Sequence, residues 1–226
     1  EKLAELYEKG SLDLGHDFRG GRVRVNIYLQ KGFISLAARL LKNRIPSLEE
    51  LHLPSVLARL VDIKQGLVLV CGVTGSGKTT TLASLLDMIS RKHRCHILTI
   101  EDPIEYIHRD AKSIINQREI GLDCHDWAEG LRAAVREDPD VILVGEMRDH
   151  ETFQAGLIAA ETGHLVFGTL HTSSAASTLG RILDLFPTDK HSLIRQSLSF
   201  SLRAIICQRL VPSFRGGTSA SCRSLN

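Results

Sequence analysis

A complete phosphate-binding loop occupies residues 72–79, where the chain reads Gly-Val-Thr-Gly-Ser-Gly-Lys-Thr. The pattern G-x-x-x-x-G-K-[ST] is specific when a strand precedes it and a helix follows it. Both conditions are met, because 67–71 is a short apolar run typical of a buried strand and 79–89 has apolar residues at helical spacing. The chain must therefore fold into an α/β unit that presents main-chain N–H groups to a phosphate.

This loop predicts a bound nucleoside triphosphate, with ATP and Mg²⁺ as cofactors. We expect Lys78 to reach the β- and γ-phosphates and the Thr79 hydroxyl to ligate Mg²⁺. The predicted nucleotide-binding residues are Gly72, Thr74, Gly75, Ser76, Gly77, Lys78, Thr79 and Thr80.

Composition excludes several other classes of protein. The formal net charge of +2 gives no whole-chain case for a nucleic acid or an anionic membrane as the partner. The five cysteines are scattered and never form a C-x-x-C pair, which argues against a disulfide scaffold or a zinc site and favours a reducing cytoplasm. No apolar run approaches the length of a transmembrane helix, and the first residues do not read as a signal peptide. We expect a soluble protein that reaches a membrane only through partners.

The chain reads as two parts joined by a linker. Residues 1–43 contain a half-buried strand at 22–29, with Arg22 and Arg24 on its polar face, and 33–37 is its predicted hairpin partner. Residues 44–60 are predicted to be a linker and a short helix, opened by a capping box at Ser47 and Glu50 and broken or restarted at Pro54.

Strands and helices then alternate through residues 61–212. The remaining predicted strands are 96–100, 113–116, 141–144 and 164–170, and the predicted helices are 126–136, 151–161, 175–185 and 190–210. This alternation indicates an α/β fold with a mostly parallel sheet, covered on both faces and binding ligands at the carboxyl ends of its strands. Residues 213–226 read as a flexible polar tail.

Candidate catalytic side chains follow those strands. Glu146 comes just after the strand 141–144, placed to polarise an attacking water or to hold Mg²⁺ through water. Glu101 begins a group of carboxylates after another strand. His164 and His171 begin and end a third strand and are expected on opposite faces, so they cannot both ligate one metal. Alone, such residues are often helix caps or structural histidines; beside a phosphate-binding loop they become candidates for catalysis.

Four motifs together resemble the secretion and type IV pilus ATPases, and most closely the pilus retraction (twitching motility, PilT-type) members. The phosphate-binding loop is joined by 99–105, similar to the family's Asp box, 136–149, similar to its Walker B region, and 161–172, similar to its His box. The resemblance covers about residues 19–212. It implies a RecA-like P-loop NTPase core, preceded by part of a small α+β, PAS-like domain.

The resemblance also implies roles and partners. Arg22 and Arg24 would send positive charge toward the γ-phosphate, and Glu101 and His171 would support and sense it. His164 belongs to the same catalytic set, and Arg148 and Arg118 are weaker candidates. A homohexameric ring is implied, cytoplasmic and docked on an inner-membrane pilus or secretion platform protein.

The expected function is Mg²⁺-dependent ATP hydrolysis that powers pilus retraction. The absence of a four-cysteine motif after 208–210 favours the retraction type over the extension and type II secretion ATPases, which remain the alternative. The stretch 215–224 resembles nothing in the family, and the family's helical C-terminal region is not seen. A second alternative is therefore an assembly subunit that binds ATP but hydrolyses it negligibly.

Overall fold

The computed structural model describes residues 2–18, 21–41, 44–212 and 218–225, which divide into two units. The first unit comprises Glu1–Arg44 and Glu105–Ile107, and the second comprises Ile45–Ile104 and His108–Asn226. The sequence placed 105–107 in the α/β part of the chain, whereas the structure groups this segment with the first unit. Lys42 and Asn43, at the predicted boundary, lie outside the described residues.

The first unit contains one helix and a three-stranded antiparallel sheet in the order β1-β2-β3. Its elements are α1 (Lys2–Lys9), β1 (Ser11–Phe18), β2 (Gly21–Gln30) and β3 (Phe33–Leu40). The predicted hairpin is confirmed, since Gln30 pairs with Phe33 and Gly32 adopts the positive φ of 82° that a tight turn requires. Neither α1 nor β1 was predicted from the sequence.

The second unit alternates strands and helices. Its elements are a 3₁₀ helix (Ser55–Asp62), β4 (Gly66–Cys71), α2 (Lys78–Lys92), β5 (His96–Glu101), β6 (Ile114–Glu119), α3 (Trp127–Ala134), β7 (Val141–Val144), α4 (His150–Glu161), β8 (Leu165–Leu170), α5 (Ala175–Asp184), a second 3₁₀ helix (Thr188–Lys190), α6 (His191–Ser201), β9 (Leu202–Pro212) and β10 (Thr218–Leu225).

Within the described residues, these strands form one seven-stranded sheet in the order β10-β9-β4-β8-β7-β5-β6. Each neighbouring pair from β9 to β6 is parallel, and β10 is antiparallel to β9. The mostly parallel α/β sheet predicted from the sequence is therefore confirmed. Because parallel strands share one direction, their carboxyl ends lie along one edge of the sheet.

Helices cover both faces of this sheet, and its central strands are completely buried. On one face, Val68 and Val70 pack against Leu85 and Leu86 of α2. On the other face, Leu69 packs in the core that α3, α4, α5 and α6 contribute to. Every residue of β4, β7 and β8 is buried, which explains why these strands read as continuous apolar runs rather than alternating ones.

Three expectations about elements differ from the structure. The helix predicted over 190–210 is wrong beyond Ser201, because the chain continues as β9, paired in parallel with β4. The tail predicted to be flexible contains β10 at Thr218–Leu225, while 213–217 lie outside the described residues. The capping box forms, with Ser47 N donating to Glu50 Oε2 at 2.9 Å and Glu50 N donating to Ser47 Oγ at 3.2 Å. It closes a turn rather than opening a helix, and the chain coils into the 3₁₀ helix only after Pro54.

Two further findings concern the described parts of the chain only. None of the helices there is long and apolar enough to cross a membrane. Within the same ranges, Cys71, Cys95, Cys124 and Cys207 are free thiols.

Candidate nucleotide-binding site

The phosphate-binding loop leaves the carboxyl end of β4 and enters α2 directly. Gly77 is the N-cap of α2, with a φ of 90°, and Gly75 has a φ of 78°. Both values lie in the left-handed region, which glycine adopts without a steric penalty. The loop can therefore bend so that its N–H groups and the helix N-terminus point to the same place, as an anion site requires.

Lys78 holds its ammonium group inside this loop. Its Nζ donates to the main-chain oxygens of Gly72 at 2.8 Å and Val73 at 3.3 Å, and only 9% of the residue is exposed. These contacts fold the side chain back over the loop, so the positive charge lies where phosphate oxygens would be bound.

The hydroxyl groups of the loop differ in their surroundings. Ser76 is 2% exposed, and its Oγ has no hydrogen-bond partner among the described residues. Thr79 and Thr80, in the first turn of α2, are half-buried, whereas Thr74 is exposed at the tip of the loop. A buried hydroxyl without a partner is costly, and a bound phosphate would supply the missing acceptor.

Glu146 follows the carboxyl end of β7, two strands away from the loop in the sheet. Its side chain is 15% exposed, and its Oε1 lies 2.9 Å from His171 Nε2 and also contacts Arg148 Nε. The hydrogen bond from Arg148 to Glu146, followed by the attraction between their charges, raises the pKa of the arginine. The structure thus brings together Glu146 and His171, which the sequence had only placed at separate strand ends.

The segment before Glu146 is fixed by neighbouring strands. Gly145 N donates to Ile100 O of β5 at 2.8 Å, and its carbonyl oxygen accepts a hydrogen bond from Thr169 Oγ1 of β8. Glu146 therefore projects from a backbone anchored on both sides.

Glu101 is the last residue of β5 and is 6% exposed. Its Oε1 accepts hydrogen bonds from Thr99 Oγ1 at 2.6 Å and Gln117 Nε2 at 3.0 Å. These donors stabilise a buried carboxylate at the same edge of the sheet as the phosphate-binding loop.

His164 differs from the other candidates. It precedes β8, at the sheet edge opposite the loop, and its Nδ1 lies 2.9 Å from the carbonyl oxygen of Ala159 near the end of α4. His171 follows the carboxyl end of the same strand. The structure therefore does not bring His164 together with the phosphate-binding loop, and its catalytic role stays a prediction.

The candidate arginines lie in separate parts of the chain. Arg24 in β2 forms an ion pair with Asp13 of β1, with Nε 3.4 Å from Oδ1. Arg22 lies in the same strand, but its side chain is outside the part of the chain that the structure describes. Arg118 in β6 donates to Glu137 Oε1 at 3.1 Å, in an ion pair that links this strand to the loop before β7.

Sequence reasoning missed Gln208 of β9, which contacts the phosphate-binding loop. Thr81 Oγ1 donates to Gln208 Oε1 at 2.8 Å, and Gln208 is 5% exposed. The only available signal was one amide within the apolar run 202–211, which had been read as helical.

Comparison with known proteins gives a consistent picture. The family model described as type II/IV secretion system protein matches residues 39–223. The chain is 50% identical to the type IV pilus retraction ATPase PilT of Pseudomonas aeruginosa, over 88% of this chain and 58% of that protein. It is also 50% identical to a twitching motility protein of Neisseria gonorrhoeae, over 86% of this chain and 52% of that protein. The chain thus spans between half and two-thirds of the length of these relatives.

Solved structures extend the comparison. The crystal structure of the pilus retraction motor PilT with bound ADP superposes with a TM-score of 0.95 at 50% identity, covering 99% of this chain and 65% of that one. The Legionella pneumophila ATPase DotB superposes with a TM-score of 0.88 at 32% identity, covering 99% and 64%. The RecA-like α/β core predicted from the sequence is therefore confirmed, while the PAS-like origin of the first unit stays a prediction.

Proposed function

Because this chain belongs to the type II/IV secretion system protein family, we propose that it is a Mg²⁺-dependent ATPase of the type IV pilus retraction type. The observation that carries this proposal is the arrangement of one sheet edge. The phosphate-binding loop, the buried carboxylate of Glu101 and the Glu146–His171 pair all follow carboxyl ends of parallel strands in one unit. That is where open α/β sheets bind their ligands.

The loop residues bind the triphosphate. Main-chain N–H groups of 75–80 and the N-terminus of α2 face the phosphates, and Lys78 leaves the carbonyl oxygens of Gly72 and Val73 to reach them. Ser76 Oγ gains the partner that it lacks among the described residues. The relative PilT has been crystallised with ADP bound, which supports a nucleotide at this loop.

The oxygen donors near the loop fit Mg²⁺. Thr79, half-buried in the first turn of α2, offers a hydroxyl, and Glu146 offers a carboxylate that acts through water. Within the described residues, no group of three or more His, Cys, Asp or Glu side chains could hold a metal ion. This donor set suits a metal that is bound largely by the phosphates. When bound, Mg²⁺ would neutralise charge on the β- and γ-phosphate oxygens.

Glu146 positions the water for in-line attack on the γ-phosphate and accepts its proton. His171 and Arg148 hold the Glu146 carboxylate at one of its two oxygens, Oε1. The other oxygen is the acceptor for water. Glu101 and His171 support and sense the γ-phosphate, and we assign no step to His164, which lies at the opposite edge of the sheet.

Charge on the transferring group is offset by arginine. We assign this role to Arg22 or Arg24, following the family pattern, in an assembled homohexameric ring. The ring would be cytoplasmic and would act on a platform protein at the inner membrane, without nucleic acid and without inserting into the bilayer itself.

Steady-state phosphate release by the purified chain tests this proposal. We expect ATP-dependent release in Mg²⁺ that EDTA abolishes and that Lys78→Ala lacks. Tight ATP binding with no release would instead identify an assembly subunit with negligible turnover. Release without any dependence on Lys78 would contradict the proposed site.

A further inference from the structure

Gln208 lies in β9 beside the phosphate-binding loop, and none of the roles proposed above uses it. The residue is only 5% exposed, and its polar amide lies in a strand whose other residues are mostly apolar. Ile206, on the same strand face, packs in the core beneath α2. A buried amide must be hydrogen-bonded or it costs free energy, so Gln208 needs an explanation beyond packing.

The side-chain oxygen of Gln208 is bonded to the helix that follows the loop. Thr81 Oγ1 donates to Gln208 Oε1 at 2.8 Å, and Thr81 itself is completely buried in the first turn of α2. This hydrogen bond links residues 127 positions apart in the sequence. It joins β9 to the start of α2, whose N-terminus forms part of the anion site.

Gln208 also lies against the glycines at both ends of the loop. A Cβ placed on Gly77 would lie 2.8 Å from Gln208 Nε2, and a Cβ placed on Gly72 would lie 2.3 Å from the Gln208 carbonyl oxygen. The approach at Gly72 is to a main-chain atom and leaves room for glycine only, whereas at Gly77 the Gln208 amide would have to move aside. One residue of β9 thus borders the loop at its first glycine, its last glycine and the following helix.

We infer that Gln208 is a positioning residue for the phosphate-binding loop, an inference that rests on the proposed nucleotide-binding function. Its oxygen fixes α2 through Thr81, and its amide nitrogen faces Gly77. The donors of that nitrogen lie beside the loop, where an acceptor of the nucleotide-bound loop would meet them.

The effect of this contact belongs to binding rather than to the chemical step. A loop that is held in its binding geometry before nucleotide arrives loses less freedom on binding. Removing the contact should therefore weaken the binding of ATP and of ADP by the same factor. It should also raise the KM for ATP more than it lowers kcat.

Equilibrium titrations of ATP and ADP against the full chain test the inference. Thr81→Val removes the donor hydroxyl with little change in shape, and Gln208→Met replaces the amide with an apolar chain of similar length. We expect each to raise both dissociation constants about three- to tenfold, the effect of one net hydrogen bond. The double variant should bind ATP and ADP no more weakly than the weaker-binding single variant, because both changes remove the same hydrogen bond.

Ile206→Val is the matched control, since it trims the same face of β9 opposite Val70, further back from the loop. The dissociation constants of Ile206→Val for ATP and ADP should stay within about twofold of the parent values. This should hold even if Ile206→Val and Gln208→Met lower the unfolding temperature by the same amount. Equal weakening in the control would overturn the inference, because general destabilisation would then explain the effect.

Lys78→Ala separates this inference from the proposed function. Unchanged affinities in Thr81→Val and Gln208→Met, with binding lost in Lys78→Ala, would overturn the positioning role and leave the nucleotide site intact. Unchanged binding in Lys78→Ala as well would overturn both.

Discussion

Two charged side chains of the candidate site, Lys78 and Glu146, are held in place by contacts with their neighbours. Lys78 is both a buried charge and a donor to the loop that it belongs to. Glu146 is held at Oε1 by His171 and Arg148 and is still partly exposed. Buried or confined charges of this kind keep a fixed geometry at the expense of hydration, and they cluster at functional sites.

Lys78→Ala should abolish tight ATP binding, because the loop loses its only lysine and with it the point charge facing the β- and γ-phosphates. Isothermal titration with ATP and Mg²⁺ measures the effect. Lys64→Ala, an exposed lysine before β4 at the opposite edge of the sheet, serves as the control and should bind as the parent does. Unchanged affinity in Lys78→Ala would contradict the assignment of the loop.

His108 predicts a pH dependence of stability. Burial lowers the pKa of this histidine from 6.5 to about 4, and its Nδ1 has no hydrogen-bond partner among the described residues. The folded state therefore favours the neutral ring, so this contribution is complete above pH 6.5 and is lost as the pH falls toward 4.

The free energy of unfolding attributable to His108 should thus fall by about 2–3 kcal/mol between pH 7 and pH 4.5. Urea unfolding at a series of pH values measures the slope. His108→Leu should flatten it, whereas His125→Leu, at an exposed position, should leave it as in the parent. The same slope in His108→Leu would show that other groups cause the acid sensitivity.

At the scale of elements, aspartate side chains cap the N-termini of two helices near the site. Asp149 caps α4, with its Oδ1 accepting from Thr152 N at 2.8 Å and its Oδ2 accepting from Thr152 Oγ1 at 2.9 Å. Asp126 caps α3 in the same way, accepting from Glu129 N at 2.7 Å. Asp149 is also the last residue of the short segment between β7 and α4 that carries Glu146, so the cap anchors the end of that segment to α4.

Asp149→Ala should lower the free energy of unfolding by about 1 kcal/mol, because the first turn of α4 loses its acceptor. Asp149→Ser keeps a capping oxygen and should restore most of that loss. Chemical denaturation measures both. If Asp149→Ala instead leaves stability unchanged but abolishes ATP turnover, Asp149 has a direct role in the reaction rather than a capping one.

The sequence predicted those elements whose signals are local. The phosphate-binding loop with its strand and helix, the hairpin across Gly32 and the helix that begins near 126 all depend on neighbouring residues. The error at 190–210 had a different origin. Its apolar run fits a helix or a strand equally well, and pairing with β4, more than a hundred residues away, decides for the strand.

The candidate site was predictable to the same extent. Glu101, Glu146 and His171 were proposed because each stands at the end of a predicted strand, and the structure places all three at the edge shared with the loop. Both His164 and His171 were candidates from the sequence, and the direction of β8 places His171, rather than His164, at the edge shared with the loop. Gln208 was missed because its contact with Thr81 joins distant parts of the chain.

At the scale of the whole molecule, the second unit is a complete α/β sheet with all of its proposed chemistry, apart from arginine, along one edge. The arginines proposed for turnover, Arg22 and Arg24, lie in a separate antiparallel sheet of the first unit. The account therefore requires both units for turnover but only the second for binding.

The Arg22→Ala, Arg24→Ala double variant tests this division. It should bind ATP as the parent does and hydrolyse it about 10³-fold more slowly, the scale expected for an arginine directed at the transferring phosphoryl group. Arg39→Ala, which removes a cation from the strand position paired with Arg24, is the control and should turn over normally. Parent-like turnover of the double variant, at a concentration where the parent is assembled, would contradict this role. The two arginines would then be solvent-facing charges on a strand with no part in hydrolysis.

The central claim is that this chain hydrolyses ATP with Glu146 as the residue that activates water. The most direct measurement is a single-turnover assay of bound ATP in the parent and in Glu146→Gln, with ATP affinity measured on the same samples. The account predicts unchanged affinity and a hydrolysis rate that falls by about 10²-fold or more, the scale of a lost general base. A rate near that of the parent would contradict it, and would leave Glu101 as the better candidate for that role.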